Sequence, residues 1–270
     1  MTSNSLLTCP SSPTPRPGPA PRRQETRGRR RRAGRYGAGV HIHHDGEASV
    51  SPGSSALAAA ALHAPTLAEH RAGDDVRPCL LWRLPEGWRA ISSGTLGGGI
   101  GPASWIVDAE VGSDYARLDP DRHLGEIAEQ LLLDGAGVGL LTAAPVAEWT
   151  TAADAGLVVD GTIGVTRPTW AAAPDGVVDP HRPGTINLIA RVPVALSDAA
   201  LVNAVMTMTE AKAQALAEHG VPGTGTASDA VCVACPADGS REPFGGPRSV
   251  WGARLGRATH AAVLDGLASP

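Results

Sequence analysis

Thr185-Ile186-Asn187-Leu188-Ile189-Ala190-Arg191-Val192-Pro193-Val194, running on through Ser197 into an uninterrupted stretch that ends at His219-Gly220, decides the fold class. Ile186, Leu188, Ala190, Val192 and Val194 alternate with mostly more polar neighbours, which is the period of a strand with one buried face. Ser197 is a good helix N-cap. Beyond it Leu201, Val205, Met208 and Leu216 recur at helical spacing, and Gly220 supplies the residue that closes a helix. A long helix therefore follows directly on a half-buried strand. Working outward, residues 88–93, 105–111, 138–141, 157–165 and 230–234 read as further strands. Asp119-Pro120 starts another helix, with a capping side chain and proline at the first helical position, and Leu124, Ile127, Ala128 and Leu131 give it an apolar stripe. A last helix runs from Pro247 to about Leu264. Strands come in runs rather than in strict alternation with helices. The expected fold is a single α+β domain with a mixed sheet and about three helices.

The chain has 270 residues and a formal charge of −4, unevenly spread. Residues 1–35 hold nine arginines against the single acid Glu25, a charge of +8, while residues 36–270 hold 14 basic and 26 acidic side chains, a charge of −12. Residues 1–78 are rich in Pro, Ser, Gly and Ala and poor in branched or aromatic surface, so a disordered tail is expected there and the folded body over 79–270. An over-long reading frame is the alternative, with a non-Met start near Val40, Val50 or Val76, since no Met lies between Met1 and Met206. The arginine run lacks interleaved aromatics, so no nucleic-acid partner is expected. No apolar run approaches the roughly 20 residues that cross a bilayer, and none follows Arg22-Arg23 closely enough for an export signal, so no membrane partner is expected either. Four cysteines make no disulfide framework, and the expected compartment is the reducing cytoplasm.

Several side chains are candidates for chemistry. On the helix after Ser197, Asn203, Thr207, Glu210 and Gln214 share one side, either a solvated stripe or a site wall. Lys212 lies on the apolar side and is the only lysine, against 22 arginines. Its amine either snorkels to water or stands partly buried and pinned to a carboxylate. After the helix comes Gly223-Thr224-Gly225-Thr226-Ala227-Ser228-Asp229, three hydroxyls and a carboxylate in a glycine-permitted loop before an apolar strand. Such a loop is an ordinary turn, or it offers a nucleophile (Thr224, Thr226), a base (Asp229) and backbone donors. Gly97-Gly98-Gly99-Ile100-Gly101 fits no nucleotide fingerprint and reads as a turn between strands that a ligand can approach closely. Cys232 and Cys235 have metal-like spacing but sit in a strand, facing opposite sides, and His41, His43 and His44 lie in the tail, so no metal site is expected. His123, at the edge of its helix's apolar stripe, is structural or a site residue. Trp170 and Trp251, each beside a loop, pack in the core or flank a large flat ligand.

Taken in order, these segments resemble the adenosylcobinamide amidohydrolase (CbiZ) family, from about Trp88 to Val263. The resemblance is carried by the run from Ser92 to Gly101, by Tyr115 and Asp119 to Leu124, by Gly139 to Ala144, and by Thr169 to Asp175. It continues through Pro183-Gly184-Thr185-Ile186-Asn187, Ala200 to Val205, Thr209 to Leu216, Thr224 to Ala230, and Phe244 to Gly252. Two departures stand out. Asp108-Ala109-Glu110-Val111 occupies the place where the family usually reads Asn-x-Gln-Val, so carboxylates replace amides that can contact substrate, and Ser228-Asp229 replaces Thr-Asp.

The resemblance implies hydrolysis of the amide joining aminopropanol to a propionate side chain of adenosylcobinamide. The products would be adenosylcobyric acid and 1-amino-2-propanol, a salvage step toward coenzyme B12. It implies a corrinoid small-molecule substrate and no cofactor, cobalt arriving only with the substrate. The expected catalytic residues are Asp229, Glu210, Lys212, Thr226 and Thr224. Expected substrate contacts are Asn203, Gly97, Gly98, Gly99, His123, Trp170, Asn187, Arg248 and Trp251. Two alternatives stand beside this reading: a corrinoid-binding protein without catalysis, and an amidase acting on a different amide.

Overall fold

The computed structural model describes residues 64–73, 75–175 and 184–268, all within one compact unit spanning Ser49–Pro270. Ten strands and three helices follow one another as β1 (Thr66–Ala72), β2 (Asp75–Arg83), β3 (Trp88–Ser92), β4 (Gly99–Pro102), β5 (Trp105–Glu110), α1 (Pro120–Gln130), β6 (Gly137–Thr142), β7 (Thr150–Asp154), β8 (Leu157–Gly164), β9 (Thr185–Arg191), α2 (Asp198–Glu218), β10 (Ala230–Pro236) and α3 (Val250–Ala268). The fold is α+β, as expected, but it contains two mixed sheets rather than one. The order β1-β2-β5-β6 forms the smaller and β4-β3-β10-β9-β8-β7 the larger.

Each sheet has one parallel pair, β5 with β6 and β9 with β10. A parallel pair needs a crossover, and α1 and α2 supply them. α1 packs Leu124, Ile127 and Ala128 on Leu81, Trp105 and Val107 of the smaller sheet. α2 and α3 cover the larger sheet through Leu201, Met208, Leu216, Leu255 and Val263 against Leu157, Ile186, Leu188 and Val233. The other faces of the two sheets meet each other, with Leu80, Trp82, Ile106 and Leu140 against Trp88, Ile189, Cys232 and Ala234. The result is four layers, helix, sheet, sheet and helix pair.

This layering corrects the reading of β9 as a strand with one less buried face. All seven of its residues are buried. Ile186, Leu188 and Ala190 face the helices, while the opposite side meets the second sheet, where polar side chains find partners. Asn187 Nδ2 donates to Asp108 Oδ1 at 2.8 Å and to the Leu141 carbonyl at 2.9 Å, and Thr162 Oγ1 donates to Asp108 Oδ2 at 2.8 Å. Farther along the same space, Asp160 accepts from Arg191 Nη2 at 2.5 Å, from Trp82 Nε1 at 2.9 Å and from Thr151 Oγ1 at 2.6 Å. Two polar clusters thus bolt the sheets together.

The tail expected over 1–78 lies outside the described residues as far as residue 63, but its end is ordered as β1 and the first half of β2. The expected boundary at 79 therefore falls inside a strand. Pro78 lies within β2. It is tolerated because the β5 ladder begins one residue later, at Cys79. At α1 the proline serves at the first helical turn, but Asp119 makes no capping bond and instead accepts from Arg117 at 2.9 Å. Ser197 does cap α2, accepting from the Ala200 N–H at 3.1 Å, and Gly220 at φ +80° ends it. No helix among the described residues is long and apolar enough to cross a membrane.

Candidate functional site

The loop from Gly223 to Asp229 joins the end of α2 to the start of β10, and a side chain of α2 reaches into it. Lys212, 6% exposed, ion-pairs through Nζ with Asp229 Oδ2. The same oxygen accepts the Thr226 N–H at 3.1 Å, and Oδ1 accepts the Ile186 N–H at 3.0 Å. Thr226 Oγ1 stands 2.5 Å from Asp229 Oδ1 and 2.7 Å from the Gly184 carbonyl oxygen. It has one hydrogen, so it serves one of these acceptors at a time. Gly225 makes this convergence possible. A Cβ on it would lie 2.2 Å from Asp229 Oδ2 and 2.6 Å from Lys212 Nζ.

Glu210, Lys212, Thr224, Thr226 and Asp229, the five expected catalytic residues, all border one cavity of about 410 Å³. Thr224 has a supporting part. Its hydroxyl accepts the Ala171 N–H at 3.0 Å, and backbone bonds between Thr169 and residues 224–225 tie the loop to the opposite rim. Trp170 stands on that rim, 58% exposed, where a flat ligand can meet it.

The other expected contacts distribute differently. Gly97 and Gly98 are packed on the Gly137 and Gly94 carbonyls, and neither they nor Gly99 border the Lys212 cavity. The preceding residues Ser93, Gly94 and Thr95 border a second cavity of about 400 Å³ between the ends of β3, β5 and β6 and the starts of β9 and β10. Asn203 and Arg248 border a separate groove of about 340 Å³ beside Phe244. The polar stripe of α2 accordingly divides, since Thr207 and Gln214 border a cleft against α3 and Glu210 alone borders both that cleft and the Lys212 cavity. Trp251 packs against the helix-side core with the Arg254 guanidinium 4.5 Å above its ring. Asn187 is wholly buried between the sheets, its Oδ1 without a partner.

His123 is buried as well, and burial holds its pKa below the ordinary histidine value. It lies behind Tyr115, with the rings stacked at 5.5 Å and 15° and Tyr115 Oη 3.1 Å from His123 Nδ1, and it is Tyr115 that borders the second cavity. Asp108 and Glu110, which stand where the resemblance leads one to expect amides, border neither cavity. Asp108 bolts the sheets, with burial raising its pKa to about 6, and Glu110 accepts the Val146 N–H at 3.0 Å. Cys232 and Cys235 point into different cores, and burial pushes the Cys232 thiol to about 12. His41, His43 and His44 lie outside the described residues.

The lone lysine, the Thr-Asp loop and the covering sheets occupy the span matched by the sequence profile described as CbiZ, adenosylcobinamide amidohydrolase, which covers residues 63–270. The chain belongs to the adenosylcobinamide amidohydrolase family. An adenosylcobinamide amidohydrolase of Halobacterium salinarum is 41% identical over 115 residues, 40% of this chain, and the match spans about half (47%) of that protein's length. An adenosylcobinamide amidohydrolase of Methanosarcina mazei is 30% identical over 189 residues, 67% of this chain and 90% of that protein. Membership in the family covers both β1 and the closing helix α3.

Proposed function

We propose that the protein hydrolyses the aminopropanol amide of adenosylcobinamide, giving adenosylcobyric acid and 1-amino-2-propanol for corrinoid salvage toward coenzyme B12. The observation that carries this reading is the junction of Lys212, Asp229 and Thr226 on the wall of one cavity. Amide cleavage needs a nucleophile, a base for its proton, and positive charge where the carbonyl oxygen becomes negative. Thr226 Oγ1 attacks the amide carbon while its proton passes to Asp229 Oδ1. Lys212 gives one N–H to Asp229 and has two others for the developing oxyanion. The C–N bond then breaks, with the proton on Asp229 going to the leaving nitrogen. Water, deprotonated by the same carboxylate, cleaves the resulting ester and restores Thr226. Glu210, exposed on the cavity rim, positions that water. The protein supplies no metal in this scheme, and cobalt enters with the substrate.

Purified full-length chain incubated with adenosylcobinamide tests the reading, with both products followed by mass spectrometry. Release of 1-amino-2-propanol in step with adenosylcobyric acid is expected. Tight binding with no release would point instead to a corrinoid-binding protein, and turnover of other amides alone would point to an amidase of different specificity.

A further inference from the structure

The scheme above uses one face of Asp229, and a second cavity lies on the other. Among the described residues, Asp229 alone is common to the two linings. The lining of the second cavity has, among the described residues, no Lys, Arg or His, and its one charge is already paired with Lys212. A phosphate or carboxylate would find no counter-charge among these residues, and the ligand they fit is neutral. Its walls combine apolar side chains, among them Leu140 and Leu141, with hydroxyls that have hydrogens to give. Thr142, 1% exposed, accepts the Ala144 N–H at 3.0 Å, and Ser93 accepts the Val231 N–H at 3.0 Å, so each hydroxyl hydrogen remains available to an acceptor. Tyr115 adds an aromatic ring that His123 stacks against and hydrogen-bonds, which fixes it as a platform. At about 400 Å³ the cavity is of a size for a small organic group and far too small for a corrin macrocycle.

We propose that this cavity is a nucleoside subsite that takes the adenosyl group of the substrate, with the base against Tyr115 and acceptor atoms of base or ribose on Thr142 and Ser93. The assignment rests on the corrinoid reading for the identity of the ligand but not for the chemistry of the pocket. In it Tyr115 is a specificity-determining residue, and His123 acts through Tyr115 as a positioning residue.

Two measurements test it on the full chain. Titration calorimetry with free 5′-deoxyadenosine should show binding that weakens about tenfold or more in Tyr115→Ala, which loses a stacking surface, and stays near wild type in Tyr115→Phe, which keeps the ring. Ala143→Trp, which fills the cavity from a half-buried wall position, should abolish binding and guards against a misfolded Tyr115→Ala. The ratio of kcat/KM for adenosylated over cyano-capped cobinamide should fall toward one in Tyr115→Ala. No binding of 5′-deoxyadenosine by the wild type, or unchanged binding in Ala143→Trp, overturns the subsite. If no cobinamide is cleaved while 5′-deoxyadenosine still binds in a Tyr115-dependent way, the amide-cleaving reading falls and the subsite stands.

Discussion

Among the described residues two ion pairs lie buried, and they differ in what surrounds them. Arg191–Asp160 is sealed between the sheets, each side chain 1% exposed, and Asp160 also accepts from two donors of the fold, Trp82 and Thr151. Lys212–Asp229 is nearly as buried, at 7% and 11%, but it forms part of a cavity wall and shares its carboxylate with the Thr226 hydroxyl. Burial of a charge pair is common to both, so burial cannot be what makes a site. Access for a ligand and a neighbouring nucleophile separate the second pair from the first.

The comparison breaks most readily at Asp229. Asp229→Asn keeps the shape and removes the base, so kcat for amide release should fall about 10³-fold while the circular dichroism spectrum is retained. Full turnover in a folded Asp229→Asn protein would remove Asp229 from the chemistry. Gly225→Ala probes the same junction without touching a polar group. The new methyl cannot coexist with Asp229 Oδ2 at 2.2 Å, so the pair must separate, and a loss of about 10² in kcat/KM is expected with little change in fold.

The sealed pair should respond in the opposite manner. Arg191→Met leaves Asp160 buried without its cation, which should cost about 3–5 kcal/mol of stability in urea unfolding. Activity per folded molecule should stay at the wild-type level, because Arg191 borders neither cavity. A drop in kcat with unchanged stability would reverse the roles assigned to the two pairs.

The sequence makes parts of this contrast legible and hides others for physical reasons. Lys212 stood out as the single cation on an apolar helix face, and the glycine-spaced hydroxyls before Asp229 marked the loop that meets it. The helix wheel could not say which neighbour each side of α2 would meet, so Asn203 was grouped with Glu210 although it borders another groove. Tyr115, Thr142 and Ser93 come together only through the end-on meeting of the two sheets, and no local pattern encodes that. The same holds for the fold. Alternation in β9 signals one apolar face correctly, but it makes the face of Asn187 and Arg191 the less buried one, and both are buried with partners from other strands. β1 was hidden because it is an edge strand whose Leu67 is exposed, and β4 because it consists of Gly99-Ile100-Gly101-Pro102.

Asp108 supplies the intermediate case and the smallest expected effect. It is as buried as Asp160, yet its partners are two neutral donors, Thr162 and Asn187, with no cation to offset the loss of hydration. Burial therefore outweighs the hydrogen bonds and raises its pKa to about 6, against about 3.9 in an unfolded chain. Between those values the folded protein holds a proton that the unfolded chain has released. Stability must then fall as pH rises from about 4 to about 6 and level off above, a change of about 3 kcal/mol at most. Asp108→Asn keeps the size of the side chain and removes the titration. The Thr162 hydroxyl can turn to accept from the new amide, so the variant should fold, and its stability should lack this slope. Urea unfolding of both proteins at about pH 4.5 and about pH 7.5 measures the difference, which isolates Asp108 from every carboxylate common to the two. Parallel pH dependence in the two proteins would mean that Asp108 is solvated or already paired with a cation. The distinction between a carboxylate held by charge and one held by neutral donors would then collapse.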